Sequence, residues 1–563
     1  MATLAVGIAF AAGLSLMIWD AANANGLIVD EFAVPPDLAV RGRSGKVVAA
    51  QLLSDLLSLQ ARSNSVRAAS SYANNWGNNL KVEIPETGVS IGELSRFLRE
   101  WLGHETHVSG AVVRTGAGVE VRASAESDAF PPVSGAEADL DGLVQKMAEA
   151  IYASTQPYRY ALHFYNGAQY DAALSSLNAL AANGSVEDRF WAYSGLTSLY
   201  ATENNWDGVE KAARNALALR PGSPVPNFFW ARTALFAQYE ESALVAAQAV
   251  IAGGRDPDIS KQNWATMRLA TECVAANLQG DFQKSTELCG RTQQSPGIVS
   301  VQLVSLTIRM LNAAAMHDAA AVRAALAAIP PPQTQNIANR IAAFEQWSEL
   351  ALGHLPANES LKVLNGVIDG NSFGASDNMT GIFIHSRTMQ PLTAHALALS
   401  GDLAGARAMI ERTPIDCSLC LRMRGQIATM ENIGAGADYW FGRAVQNAPS
   451  TPFANESWGR SYLARGKPDD AIAQFTLANR KGPHFADPLE GWGEALMAKN
   501  LSHRALAKFA EAEKYAPNWG RLHLKWGEAL AYANKKGEAK KQFARAAELD
   551  LTPAEKAELA RKP

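Results

Sequence analysis

The 563-residue chain has no lysine or arginine before Arg41, only four cysteines, and 19% charged residues that sum to a net charge of −4. So small a net charge sets up no field that would gather a nucleic-acid backbone, and nucleic acid is not expected as a partner. Four cysteines are too few to staple a chain of this length, so core packing must hold it. The signatures of chemistry are missing as well. There is no glycine-rich phosphate loop, no G-x-S-x-G elbow and no H-E-x-x-H pair. The ten histidines are scattered, and the closest pair, His104 and His107, has no carboxylate or cysteine at ligand spacing. No catalytic residue, metal or cofactor is expected.

What is there is helix-forming. Hydrophobic residues make up 48% of the chain, and long alanine-rich stretches favour helix over strand. The length exceeds what one compact core supports, which points to several domains or an extended array. Residues 499–563 carry 14 Lys plus Arg against 8 Asp plus Glu, read as a solvated outer face. At the start of the chain, Ala2–Trp19 runs uncharged for 18 residues, roughly 27 Å as helix, enough to cross a bilayer. Residues 1–20 are therefore expected to be a single-pass membrane anchor. A signal peptide cleaved near Ala22-Asn23-Ala24 is the rival, disfavoured by the missing basic leader. Arg41 lies beyond Asp20, Asp30 and Glu31, which places the bulk of the chain outside the cytoplasm.

Residues 27–155 read as a small α/β domain. A short strand near Leu27–Phe32 stops at Pro35-Pro36, and Val47, Val48, Leu52, Leu56 and Leu59 then recur at helical spacing. A second strand is expected at Lys81–Ile84, followed by a helix capped by Ser90 with Glu93 three residues on. Two alternating runs, Thr106–Arg114 and Val119–Ala125, flank a glycine-rich turn and read as a hairpin. Ala138–Ala153 is an amphipathic helix. The Phe32-to-Leu57 segment, the strand Val108-Ser109-Gly110-Ala111-Val112-Val113 and its partner resemble the TolB-like amino-terminal domain of bacterial membrane-linked repeat proteins. That resemblance implies no catalytic residues. No winged-helix segment precedes the expected anchor, which argues against a transcriptional role.

From about residue 415 the chain repeats itself. Gly425, Gly459, Gly493 and Gly527 stand 34 apart; Ala437, Ala471, Ala505 and Ala539 keep the same phase, as do Phe441, Phe475, Phe509 and Phe543. Trp458, Trp492 and Trp526 precede three of the glycines, and Pro449, Pro483 and Pro517 close three units. Period and residue types resemble the tetratricopeptide repeat (TPR), in which small residues let two helices approach and a large one fills the wedge. The expected fold is mainly α: a TPR-type α-solenoid with degenerate repeats over 156–414, regular ones over 415–551, and a capping helix and tail over 552–563.

Cys417-Ser418-Leu419-Cys420 is the sole redox- or metal-like motif, and one CxxC cannot build a four-ligand zinc site. It is read as two small residues packing in a helix interface, with a disulfide as the alternative in an oxidising compartment. Cys273 and Cys289, on facing helices of one pair, are read the same way.

In TPR proteins the first helix of each pair lines a groove. The corresponding positions are Arg422 with Gln426, Glu456 with Arg460, Glu490 with Glu494, and Leu524 with Glu528, each pair four apart and hence on one helical face. The stripe is acidic in its middle, which suits a basic peptide or protein ligand. The function expected is a non-enzymatic, membrane-anchored scaffold for protein–protein interaction. Two alternatives are a sensor or regulator related to cyclase-like or transcriptional TPR proteins but lacking its output domain, and an enzyme with a site in 27–155.

Overall fold

The computed structural model describes residues 14–19, 21–22, 25–63, 65–74, 97–98, 101–102, 104–116, 118–125, 128–167, 169–202, 205–294, 299–329, 331, 335–353 and 385–562. Residues 1–176 form one compact unit and residues 177–563 another.

Among the described residues the first unit is built on a six-stranded mixed sheet: β1 (Asn25–Val29), β2 (Ser71–Asn74), β3 (His104–Thr115), β4 (Gly118–Ala125), β5 (Asp128–Ala129) and β6 (Val133–Gly135). The spatial order is β2-β1-β3-β4-β5, with β6 also on β4. β1 runs parallel to both β2 and β3, and β3 returns antiparallel into β4, with Thr115 opposite Gly118. Helices α1 (Pro36–Val40), α2 (Gly45–Arg62) and α3 (Leu140–Thr155) follow from the sequence periodicity. Leu52, Leu56 and Leu59 of α2 and Leu143, Met147 and Ile151 of α3 bury their side chains against Val29, Val108, Val112, Val119 and Val121. Each such burial contributes about 1.5–3 kcal/mol. Gly110 is glycine for a visible reason: a Cβ there would lie 2.5 Å from the Phe32 ring.

The strand expected at Lys81–Ile84, the helix start at Ser90 and the Trp76 loop lie outside the described residues. β2 was not anticipated, because four residues with two polar ends give no alternating signal; pairing with β1 makes the strand. The membrane location is corrected: among the described residues no helix is long and apolar enough to cross a bilayer. Residues 1–13 of the expected span lie outside the described residues, and residues 14–19 form a short helical stretch.

After α4 (Pro157–Asn166) and α5 (Tyr170–Asn183) the described residues form helices arranged as antiparallel hairpins. The degenerate part pairs α6 (Val186–Thr202) with α7 (Trp206–Leu219), α8 (Val225–Phe236) with α9 (Glu240–Ala252), and α10 (Lys261–Leu278) with α11 (Phe282–Gln294). It continues with α12 (Val299–Ala315) and α13 (Ala319–Ala327), α14 (Gln335–Leu352), and α15 (Gln390–Leu399) with α16 (Leu403–Ile410). The regular part pairs α17 (Ser418–Met430) with α18 (Gly434–Asn447) and α19 (Phe453–Ala464) with α20 (Pro468–Lys481). Then come α21 (Ala486–Ala498) with α22 (Ser502–Glu513) and α23 (Gly520–Tyr532) with α24 (Lys536–Glu548). A final helix, α25 (Pro553–Leu559), opens with a capping box between Thr552 and Glu555. The helical part is a TPR-type stack.

The 34-residue period has a concrete cause in the glycine–phenylalanine pairs. A Cβ on Gly425, Gly459, Gly493 or Gly527 would stand 2.5–2.7 Å from the ring of Phe441, Phe475, Phe509 or Phe543, respectively. Each ring therefore occupies the space that the missing methyl leaves. Ala437, Ala471, Ala505 and Ala539 are buried at the same helix crossings. Trp458 donates its indole N–H to Asp438 at 2.8 Å, Trp492 lies under the Lys508 ammonium, and Trp526 packs beside Phe543.

A second feature recurs with the same period. Asn432, Gly466, Asn500 and Asn534, again 34 apart, all have φ between 59° and 69° and end the first helix of each regular hairpin. Glycine and asparagine tolerate this left-handed cap best. Gln238, Gly280, His317, Gly353 and Gly401 take a left-handed φ of 56–94° after helices upstream, so the hairpin turn outlasts the sequence signature.

The cysteines require a correction. Cys273 is bonded to Cys289 and Cys417 to Cys420, all four buried. The first bond ties α10 to α11; the second closes the amino-terminal turn of α17. Facing positions on adjacent helices put the sulfurs of the first pair within bonding reach.

Candidate interaction site on the inner face of the helical stack

The first helices of the hairpins share one side of the stack, and among the expected groove residues the charged ones sit there in ion pairs. Arg460 donates to Glu456 at 2.7 Å and to Glu490 at 2.8 Å. Arg521 donates to Glu494 at 2.6 Å and lies 3.4 Å from Glu490 and 3.6 Å from Glu555. Glu490 has no exposed surface at all. Arg422 pairs with Glu240 at 3.0 Å, one repeat array reaching the other across 182 positions. Glu528 is held by Lys525 at 3.2 Å and by Lys562. Leu524, expected to face the groove, is instead fully buried with Leu530 and Phe543.

Burial and charge act against each other here. Burial alone would raise the Glu490 carboxyl, but Arg460 and Arg521 on either side hold it below the usual carboxylate range. Glu494 is pushed up to about 7 by burial first and by the charge of Glu490 second, with Arg521 only partly offsetting them. Burial likewise raises Glu456. His395 is driven down to about 4 by burial, so its ring is neutral near pH 7.

Two cavities open on this face. One, of about 240 Å³, has walls from Leu278, Ile308, Leu311, Trp347, Leu419 and Phe453 among others, contributed by α8, α10, α12, α14, α15, α17 and α19, with Glu240 of α9 and Phe282 of α11. Of its polar neighbours, Arg422 pairs with Glu240 and Asn277 donates to Asn312 at 2.7 Å, while Nε of Arg422 is buried with no hydrogen-bond partner among the described residues. The other, of about 390 Å³, is walled by His317, His395, Gln426, Asp487, Trp519 and the two arginines of the network, with further apolar residues. Ala351 and Leu392 belong to both walls, so the cavities adjoin. The His317 ring stacks on Trp519 at 3.9 Å between centroids and its Nε2 meets Asp487 at 3.1 Å.

Gln238 (φ 60°) and His317 (φ 56°) hold left-handed backbone that most side chains avoid, and each lines one of the cavities. The sequence period gave Gln426, Arg460, Glu490 and Glu494. It missed Asp487 and Arg521, which occupy equivalent positions 34 apart on the same helices, three residues before the chosen stripe. It could not have found His317 or Leu392, which reach the site from hairpins more than 90 positions upstream of Asp487. Among the described residues no group of three or more His, Cys, Asp or Glu is placed to hold a metal ion.

No family model matches the chain, so none supports the TolB-like resemblance, and no curated relative matches either. Solved structures offer loose likenesses. Yeast Tom70 is 13% identical over 74% of this chain and 95% of its own, with a TM-score of 0.31. The Cut9–Hcn1 hetero-tetramer of APC/C is 12% identical over 74% of this chain and 85% of its own, TM-score 0.35. YrrB, described as a TPR protein with an unusual peptide-binding site, is 14% identical over 31% of this chain and 92% of its own, TM-score 0.24. At such scores these are similarities without weight, and the TPR-type architecture stands on the chain's own hairpins and their 34-residue period.

Proposed function

We propose that the chain is a non-enzymatic scaffold that holds a protein partner on the inner face of its helical stack. One observation carries this reading: two adjoining cavities walled by first helices drawn from both the degenerate and the regular repeats. Such concave sites, apolar with a few placed polar groups, are where ligands bind. A partner seated there contacts hairpins far apart in sequence and so reads the stack as a unit. Groove residues Gln426 and Arg460 would meet it directly, while Glu456, Glu490, Glu494 and Glu528 set the charge behind them. The test is proximity labelling with the full-length protein against Leu392→Trp, which fills the wall common to both cavities. Partners labelled by the wild type and lost from the variant support the proposal; identical partner sets from both proteins refute it.

A further inference from the structure

The inner face has more carboxyl groups than cations to match them. Around Arg460 and Arg521 stand five carboxylates, those of Glu456, Asp487, Glu490, Glu494 and Glu555, against two guanidiniums. Lys525, next along, is already engaged by Glu528 and Glu558. His317 meets one oxygen of Asp487, leaving its Oδ2 buried with no hydrogen-bond partner among the described residues; Oε1 of Gln426, on the same wall, has none either. Both orphans are acceptors. A buried acceptor without a donor is destabilising, and a ligand donor can relieve it. The adjoining cavity offers an apolar wall whose own polar groups are mostly satisfied within the chain.

We infer that the paired cavities bind a peptide segment in which an arginine or lysine side chain, directed at Asp487 and Gln426, lies next to an apolar side chain seated against Leu278, Ile308 and Phe453. This rests on the scaffold reading and adds the chemistry of the partner. Charge complementarity selects the cation, and the two acceptors at one wall favour the several N–H groups of arginine. The apolar neighbour gives the segment a direction along the face, from the Asp487 end toward the Leu278 end.

The test uses saturation-transfer NMR on the full chain with benzoyl-arginine amide as probe. Benzoyl-citrulline amide, equal in shape without charge, and acetyl-arginine amide, without the ring, are the comparisons. The wild type is expected to saturate benzoyl-arginine amide about tenfold more than the citrulline analogue, the loss expected from one charged hydrogen bond. Asp487→Asn should bring that ratio near one, Gln426→Leu should lower it, and Leu392→Trp should abolish transfer to the benzoyl ring. Thermal melts check that each variant folds, and the arginine-to-citrulline ratio of the wild type needs no variant. Equal saturation of the two analogues by the wild type overturns the inference, as does an unchanged ratio in both folded Asp487→Asn and Gln426→Leu. If the probe discriminates as expected while labelled partners do not differ between wild type and Leu392→Trp, the cavity chemistry stands and the scaffold reading falls.

Discussion

Arg460 on α19 donates through Nη1 to Oε2 of Glu490 on α21 at 2.8 Å, joining two consecutive hairpins through a carboxylate that solvent does not reach. A buried pair of this kind is costly to break from one side, because the surviving charge is left without compensation. Arg460 also faces Glu456 and Glu494, so its loss leaves Glu456 without a cation and Glu490 and Glu494 with Arg521 alone, whereas loss of Glu490 still leaves Arg460 with partners. Arg460→Met should therefore destabilise by about 3–5 kcal/mol and Glu490→Gln by clearly less. Urea unfolding at neutral pH measures both, and an equal cost for the two would contradict a shared network.

Glycine in the middle of a helix is ordinarily a defect, and alanine in its place stabilises by about 0.5–1 kcal/mol. The repeat predicts opposite signs at two helical glycines. At Gly459 a Cβ would lie 2.6 Å from the Phe475 ring, itself buried and facing Gly491 on its other side, so Gly459→Ala should cost about 1–3 kcal/mol through overpacking. At Gly442 nothing lies within 4 Å, so Gly442→Ala should be neutral or stabilising. Phe475→Ala, which empties the same wedge, should cost about 3–5 kcal/mol. The midpoints of thermal unfolding decide the matter, and a gain from Gly459→Ala would remove the wedge as the reason for the period.

This wedge explains why so much of the helical stack could be read from residue types alone. Gly425 with Phe441 and its three successors depend only on local spacing, and local spacing survives in a sequence. The inner face does not work that way. Arg422 meets Glu240 and His317 meets Asp487 only because the stack brings distant hairpins together, and no periodicity records that pairing. The acidic stripe was visible as Glu490 and Glu494, but its neutralising arginine at position 521 lies outside the stripe, so the charge looked more open than it is. The upstream hairpins were blurred because alanine-rich helices pack with many residues at the wedge; their turns at Gln238 and His317 kept the left-handed cap while losing asparagine or glycine.

The two disulfides should contribute unequally. Cys273 and Cys289 close a loop of 16 positions and Cys417 and Cys420 one of only three. The chain entropy removed from the unfolded state grows with loop length, about 3 kcal/mol for a loop near 15 residues. Cys273→Ser with Cys289→Ser should thus lower stability by about 2–4 kcal/mol, and Cys417→Ser with Cys420→Ser by less, since a serine at 417 can still accept from the N–H of residue 420 as Cys417 Sγ does. Unfolding under oxidising conditions compares the two double variants. Adding reductant to the first variant should then produce only the smaller remaining loss, and a larger loss there would reverse the assignment.

The carboxyl of Glu494 gives the stack a pH dependence whose sign is fixed by its neighbours. Its folded-state value is raised to about 7 by burial and by Glu490, while in the unfolded chain it titrates as an ordinary glutamate near 4.5. Between those values the folded state binds the extra proton, so the stabilisation is present below about pH 4.5 and is lost as pH rises through 7. Glu490 titrates in the opposite sense, but its lowered value confines its effect to acid below that window. The cations that face Glu494, Arg460, Arg521 and Lys525, stay charged throughout. Glu494→Gln keeps the shape and cannot ionise, so relative to wild type it should gain stability between pH 5 and pH 8, by about 1–3 kcal/mol. Urea unfolding of both proteins at the two pH values gives the difference directly. A difference that does not change with pH would mean that Glu494 is ionised at both, and that Arg521 outweighs burial and Glu490 together.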